Sequence, residues 1–368
     1  MKSFKLIAMA AATLVLGISS CSKEEGIVPS ADMYKVTLNF KNASTRADGA
    51  TAVPGTTVEI NDGYLCFVSA NGAITRVFTI SDDATDVSGN NIKNSELGST
   101  PVVLGGIPGN SKDVYLITNT GFYANLDAPA VGNTISSYLA NSMDVRDQRD
   151  YTGVTTLGSA PLVAGIEADQ KTAIITLSTK VSRIQIKGMT FDGDVTGTVA
   201  GIFINGYYRT MQLNGTGSTF IGSIIDVDYN ESGSAIFPST HQGIVFDAVN
   251  KNFDTDVETT VVPTTANGVW GYNLFVSTTP QVIIKFTDVF VDGQEIVDPQ
   301  FITINGFKNQ STQAPIANLE GGMMYTINTA SLVIKFENMS PDPGVKPIQV
   351  DVTVVPVTWE ETPVDPNI

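Results

Sequence analysis

Three residues stand where their type and spacing invite chemistry: Cys21, Arg46 and His241. Cys21 follows Ile18-Ser19-Ser20, which close an apolar run from Leu6 to Leu16 preceded by Lys2 and Lys5. A positive start, a short apolar stretch and small residues mark an export signal over residues 1–20, too short for a stable membrane span. A signal that ends in cysteine reads as a lipobox. A lipoprotein signal peptidase then cuts before Cys21, and the thiol carries diacylglycerol, with palmitate-type acyl chains completing the anchor. Each buried CH₂ adds about 0.8 kcal/mol, so several chains on one cysteine hold stably to a membrane. An ordinary signal peptide with an incidental cysteine is the other reading. Residues 21–32, opening with Ser22-Lys23-Glu24-Glu25-Gly26, fit a tether.

Arg46 lies in Asn42-Ala43-Ser44-Thr45-Arg46-Ala47-Asp48-Gly49-Ala50, a small, polar stretch of the kind that proteases nick. It is the one basic residue between Lys41 and Arg76, so a trypsin-like protease meets one outstanding bond, Arg46–Ala47. A plain surface loop with an arginine has the same composition. His241 is the single histidine, in the turn-like Ser239-Thr240-His241-Gln242-Gly243. One histidine cannot build a His-rich zinc site, and no G-x-S-x-G, H-E-x-x-H or P-loop pattern accompanies it. No catalytic residue, metal site or cofactor is expected, and the chain does not read as an enzyme. Cys66, within Tyr64-Leu65-Cys66-Phe67-Val68, reads as a core thiol. With Cys21 acylated, it has no intramolecular disulfide partner. The net charge of −16 argues against nucleic acid or anionic lipid as a partner.

The elements that must position these residues are mostly strands. Tyr34, Val36, Leu38 and Phe40 alternate with Lys35, Thr37, Asn39 and Lys41, giving one buried and one wet face. Further strands are predicted at Gly63 to Ser69, Arg76 to Ile80, Asp113 to Thr118 and Ala160 to Ala164, with a long one from Ala173 to Ile186. The second half adds Val199 to Ile204, Tyr207 to Leu213, Gly243 to Asp247, Gly271 to Ser277, Gln281 to Val291, Gln300 to Ile304 and Leu332 to Phe336. One helix is expected over Asn133 to Met143, capped by Thr134. Many short strands with frequent turns indicate sandwiches. The pattern divides near Lys187 to Asp194, where glycines interrupt it. The expected fold is therefore mainly all-β: two transthyretin-like β-sandwich domains in tandem, 33–187 and 188–345, with few short helices. The first strand is 33–41 and the cleavage loop 42–50.

The chain end, 346–368, carries a second clean alternation: Ile348, Val350, Val352 and Val354, then Val357 and Trp359 beyond Pro356. The stiff Pro341-Asp342-Pro343-Gly344-Val345-Lys346-Pro347 precedes it. An ordinary last strand has this pattern, and so does a strand that pairs outside its own domain. Taken with Arg46, the second option suggests a mechanism. A cut after Arg46 frees the first strand, whose apolar side chains each contribute about 1.5–3 kcal/mol when fully buried. The vacated edge and groove associate strongly, and the C-terminal strand of another copy has matching alternation. Such a head-to-tail contact does not close and grows a filament. Cleavage also removes the lipid.

These features resemble the fimbrillins, the type V pilins of Bacteroidetes. The likeness rests on the lipobox ending at Cys21, on the Tyr34 to Phe40 strand followed by Thr45-Arg46-Ala47, and on Val350-Asp351-Val352-Thr353-Val354-Val355-Pro356-Val357-Thr358-Trp359. Asp113 to Asn119 and Leu177 to Ile186 also resemble core strands of that family. The resemblance implies a fimbrial subunit, of the stalk type, exported to the outer membrane as a lipoprotein and cut by an arginine-specific protease. Strand exchange then assembles it into an extracellular fimbrium for adhesion and biofilm. Carried over by position, Cys21 is lipidated, Arg46–Ala47 is cleaved, Tyr34, Val36, Leu38 and Phe40 are displaced, and Ile348 to Trp359 is the donor. The partners implied are other copies, anchor and tip subunits, the protease, the outer membrane through lipid, and a host or bacterial surface receptor. The alternatives are a tip or anchor subunit, or a membrane-anchored glycan-binding lipoprotein. For the latter, Trp270-Gly271-Tyr272 and Tyr207-Tyr208 form a sugar platform unless they pack in the core.

Overall fold

The structure, a computed structural model, describes residues 33–42, 57–58, 60–81, 89–97, 101–120, 126–144, 154–221, 245–254, 259–264, 268–275, 280–356 and 358–359. Strands dominate, as the alternating pattern predicts, and Ile135–Leu139 is the one α-helix among the described residues.

Two sheets enclose the first apolar cluster. One is four-stranded, in the order Val163–Ala164, Gln170–Leu177, Met33–Asn42, Val102–Pro108. The other is five-stranded, in the order Asn91–Lys93, Ile74–Ser81, Gly63–Ser69, Ser111–Thr118, Thr156–Pro161. Val36, Leu38 and Ile175 from the first meet Leu65, Phe67, Phe78 and Leu116 from the second. Phe67 and Phe78 pack edge to face at 6.0 Å, a geometry that matches the ring quadrupoles.

A larger sheet runs Gly217–Ile221, Tyr207–Gln212, Trp270–Phe275, Val181–Ile186, Met323–Ile327, Pro347–Pro356, Gln300–Asn309, Gln281–Val291, Val195–Asn205, Val245–Asp254. It wraps a second cluster that includes Ile184, Ile202, Leu274, Phe286 and Ile302. Cys66, Val68 and Ile117 belong to this second cluster, whereas Leu65, Phe67 and Leu116 belong to the first. Alternate residues of Gly63–Ser69 and Ser111–Thr118 thus serve different cores. That explains why Leu65 to Val68 reads as an unbroken apolar run: both faces are covered.

The structure differs from the sequence reading at three elements. The long strand expected from Ala173 to Ile186 is two strands, Gln170–Leu177 and Val181–Ile186, in different sheets. At the break, the Thr179 hydroxyl accepts a hydrogen bond from the Val181 amide at 3.1 Å, a local side-chain bond that replaces the ladder. The strand expected from Ala160 to Ala164 also divides, into Thr156–Pro161 and Val163–Ala164. Its dividing residue, Leu162, donates its amide to the Lys112 carbonyl at 2.8 Å. The helix expected over Asn133 to Met143 covers only Ile135–Leu139, with Thr134 as its cap. Ser142–Asp144 instead pairs with Tyr207–Gln212, which buries Met143 beside Met211.

Candidate functional site

The Met33–Asn42 strand owes its place to its alternation. Val36 and Leu38 are fully buried and Phe40 packs on the same cluster. The strand lies inside its sheet. It runs parallel to Gln170–Leu177, from Lys35 opposite Gln170 to Asn42 opposite Leu177. It is antiparallel to Val102–Pro108, with a register shift between Tyr34 and Val36. Taking it away would part the sheet into two edges and open the cluster between them. Tyr34 and Lys171 close the near end of this slot. The Lys171 ammonium sits 4.0 Å from the Tyr34 ring centroid and donates to the Ser111 carbonyl at 2.9 Å, which ties the two sheets together. Burial and then the neighbouring Lys112 charge hold the Lys171 pKa below its ordinary value.

The Pro347–Pro356 strand is seated in its own chain. Ile348, Val350, Val352 and Val354 turn toward the larger cluster, with Val350 3% and Val352 0% exposed. Its first half pairs in parallel with Gln300–Asn309, from Pro347 opposite Thr303 to Val352 opposite Asn309. Its second half pairs antiparallel with Met323–Ile327, from Val352 opposite Ile327 to Pro356 opposite Met323. The strand therefore changes neighbours midway, and only Val352 is matched on both sides. Among the described residues, each half is paired with one neighbouring strand.

The slots of the two strands share three features. Each is 10 residues long, each has a parallel neighbour on one side and an antiparallel neighbour on the other, and each buries its alternate apolar residues. The neighbours are distributed differently: they flank Val36 to Leu38 together in the first slot, but share only Val352 in the second. Aligning the buried residues sets Ile348, Val350, Val352 and Val354 against Tyr34, Val36, Leu38 and Phe40.

Other residues singled out in the sequence fall as follows. Cys21, Arg46, Ala47, His241 and Val357 lie outside the described residues. Trp359 belongs to a short strand, Thr358–Trp359, that runs parallel to Thr57–Val58. A strand of 2 residues leaves no periodicity to read in advance. Trp270, Tyr272 and Tyr207 are buried in the larger cluster, so core packing and not a sugar platform accounts for them. Tyr208 packs against Phe220 at 5.1 Å. Among the described residues no three His, Cys, Asp or Glu side chains gather as a metal site, and no helix is long and apolar enough to cross a membrane.

No family model matches the chain, and no curated protein matches it in sequence. Solved structures do match its fold. A Bacteroides eggerthii protein assigned to cell adhesion is 17% identical, with 91% of this chain and 98% of that chain covered and a TM-score of 0.56. A Porphyromonas gingivalis fimbrilin, FimA, is 11% identical, with 89% and 99% covered and a TM-score of 0.51. A Parabacteroides distasonis protein assigned to cell adhesion is 10% identical, with 90% and 98% covered and a TM-score of 0.50. Along nearly its whole length, the chain has the mainly β fold of a fimbrilin and of two proteins assigned to cell adhesion.

Proposed function

We propose that this protein is a structural subunit of a cell-surface fimbria, not an enzyme, and that it assembles with other copies and other fimbrial subunits by exchange of β-strands. It is exported as an outer-membrane lipoprotein acylated at Cys21. Cleavage of Arg46–Ala47 by an arginine-specific protease severs the Met33–Asn42 strand from the rest of the subunit and separates the subunit from its lipid. The Pro347–Pro356 strand of another copy then enters the slot. The observation that carries this reading is the likeness of the two slots: equal length, equal alternation, and a parallel and an antiparallel neighbour in each. The shared fold with a fimbrilin supports the same assignment.

The strand must first leave its own sheet. Giving up the burial of Val350 and Val352 costs about 1.5–3 kcal/mol each, and entering the new slot regains burial of the same kind. The donor's transfer fills one slot and vacates another, so it is nearly balanced in apolar burial, and the cut acts by freeing the first strand from its covalent link to the subunit. Neighbours keep their order because the ladder sets the register.

Limited digestion of the unlipidated protein with an arginine-specific protease tests the reading. The products are followed by N-terminal sequencing and by a gel run without boiling. The expected result is one new terminus at Ala47 together with a ladder of polymers. A cut at Ala47 that yields monomers alone would point to a tip or anchor subunit. Absence of a preferred cut at Arg46 would remove processing from the account and favour a membrane-tethered binding lipoprotein.

A further inference from the structure

The Pro347–Pro356 strand is gripped where its neighbours change. Thr353 follows Val352, the residue matched on both sides. The Thr353 hydroxyl donates to Gln310 Oε1 at 2.8 Å and accepts from Asn328 Nδ2 at 2.8 Å. Asn328 Nδ2 also donates to Gln310 Oε1 at 3.2 Å, so the three side chains close a ring. A main-chain bond backs it, from the Gln310 amide to the Val352 carbonyl at 2.9 Å. Gln310 comes directly after Gln300–Asn309, and Asn328 directly after Met323–Ile327, so each neighbouring strand supplies one arm.

The two arms are held by their own turns. Asn309 Oδ1 accepts from the Ser311 and Thr312 amides at 2.9 and 3.2 Å, which fixes the chain on either side of Gln310. Asn328 stands at the N-cap of a short 3-10 helix, Thr329–Ser331, where an asparagine side chain ordinarily accepts from the first turn. It makes no such bond here, and its amide is turned to Thr353 and Gln310 instead. The first-strand slot is different. With the buried residues aligned, Thr353 takes the place of Asn39, opposite Ile174, a side chain that neither donates nor accepts.

We infer that Gln310 and Asn328 form a retaining clasp on Thr353, which holds the Pro347–Pro356 strand in its own sheet and slows its passage to another copy. The inference rests on the strand-exchange reading and adds to it a control on rate. Peeling from the chain end breaks the ladder with Met323–Ile327 first and meets the clasp before the ladder with Gln300–Asn309. The clasp thus stands between two stages of release. Its hydrogen bonds are exposed or half-buried, so each contributes modestly, and the clasp delays the strand without trapping it.

The test uses the full chain with Cys21→Ser, so that no lipid is attached, and the variants Gln310→Ala and Asn328→Ala. Both positions lie outside Pro347–Pro356, so the strand that reaches the slot is unchanged. In the uncut protein, hydrogen exchange at the Thr353, Val354 and Val355 amides is read by mass spectrometry. Each variant should exchange there about fivefold faster, the equivalent of one ordinary hydrogen bond, with the Val36 to Leu38 amides unchanged. The double variant should gain less than the product of the two, because the first change already opens the ring. After the Arg46 cut, both variants should lengthen the ladder about fivefold faster at an equal rate of cleavage. Unchanged hydrogen exchange in both variants, equal acceleration at Val36 to Leu38, or a ladder that grows no faster would each overturn the inference. A wild type that yields no ladder would instead overturn strand exchange, and hydrogen exchange of the uncut protein would still decide whether the clasp holds the strand.

Discussion

Single side chains divide here into those a subunit keeps and those it sheds. Cys66 is of the first kind: buried between the two sheets' worth of strands, its thiol is pushed up to about 12 by loss of solvation. At pH 8 only about one part in ten thousand is thiolate, the reactive form. Iodoacetamide should therefore leave Cys66 unlabelled in native buffer and label it fully in denaturant; rapid labelling of the native protein would contradict the burial. Leu38 is of the second kind under the proposed processing. Leu38→Ala should lower the stability of the uncut protein by about 2–5 kcal/mol, read as a shift in the urea midpoint. After cleavage and assembly, wild type and variant should become indistinguishable, because the residue has left. A persisting difference would mean that the first strand stays in place. Arg46→Ala, in turn, should abolish the ladder while export and acylation continue, as read by globomycin-sensitive processing and fatty-acid labelling of cells.

At the scale of the element, the Pro347–Pro356 strand is held by one neighbouring strand along each half. Its alternation buries Val350 and Val352, but its neighbours change at Val352, so that among the described residues each half has one paired strand. Under the proposed exchange, peeling from the chain end would break the Met323–Ile327 ladder before the Gln300–Asn309 ladder. A synthetic peptide of residues 347–356 should therefore enter the vacated slot of cut subunits and cap growth. Shortening of the ladder with rising peptide is the expected outcome, and a peptide with Val350→Asp and Val352→Asp should have no effect. Capping by both peptides, or by neither, would argue that some other segment is the donor. Deletion of the strand is a poorer test, since Ile304, Ile327 and Met324 would lose the cover it provides.

Over the whole molecule, the two apolar clusters adjoin along strands whose alternate residues face opposite ways, Leu65 and Phe67 to one and Cys66 and Val68 to the other. Under the proposed exchange, loss of the first strand would be felt beside the second cluster through these shared strands. Surface charge is as unevenly spread. Acidic side chains gather on the Gln281–Val291 and Gln294–Ile296 hairpin, with Asp292 and Glu295 exposed, and are missing from the four-stranded sheet. If the donor aligns its buried residues with those of the first strand, Asp351 takes the place of Thr37 in the middle of that sheet's outer face.

Much of this protein is legible in its residues alone. Period-two alternation at Tyr34 to Phe40 and Ile348 to Val354 specifies strands and says which side is buried, because the pleat sends neighbouring side chains to opposite faces. The apolar leader before Cys21 and the lone arginine of the 42–50 loop are local patterns and need no fold to be seen. Which strand lies beside which is different, because pairing joins residues far apart in the chain. The break at Ser178 to Lys180, which sends one apolar run into two sheets, leaves almost no trace in composition. The same holds for the Thr358–Trp359 pairing with Thr57–Val58. Nor does alternation reveal whether Pro347–Pro356 serves its own chain or another's, since either slot satisfies the same pattern. Only the tertiary structure seats that strand between Gln300–Asn309 and Met323–Ile327, where long-range hydrogen bonding and core volume, not local propensity, select its place.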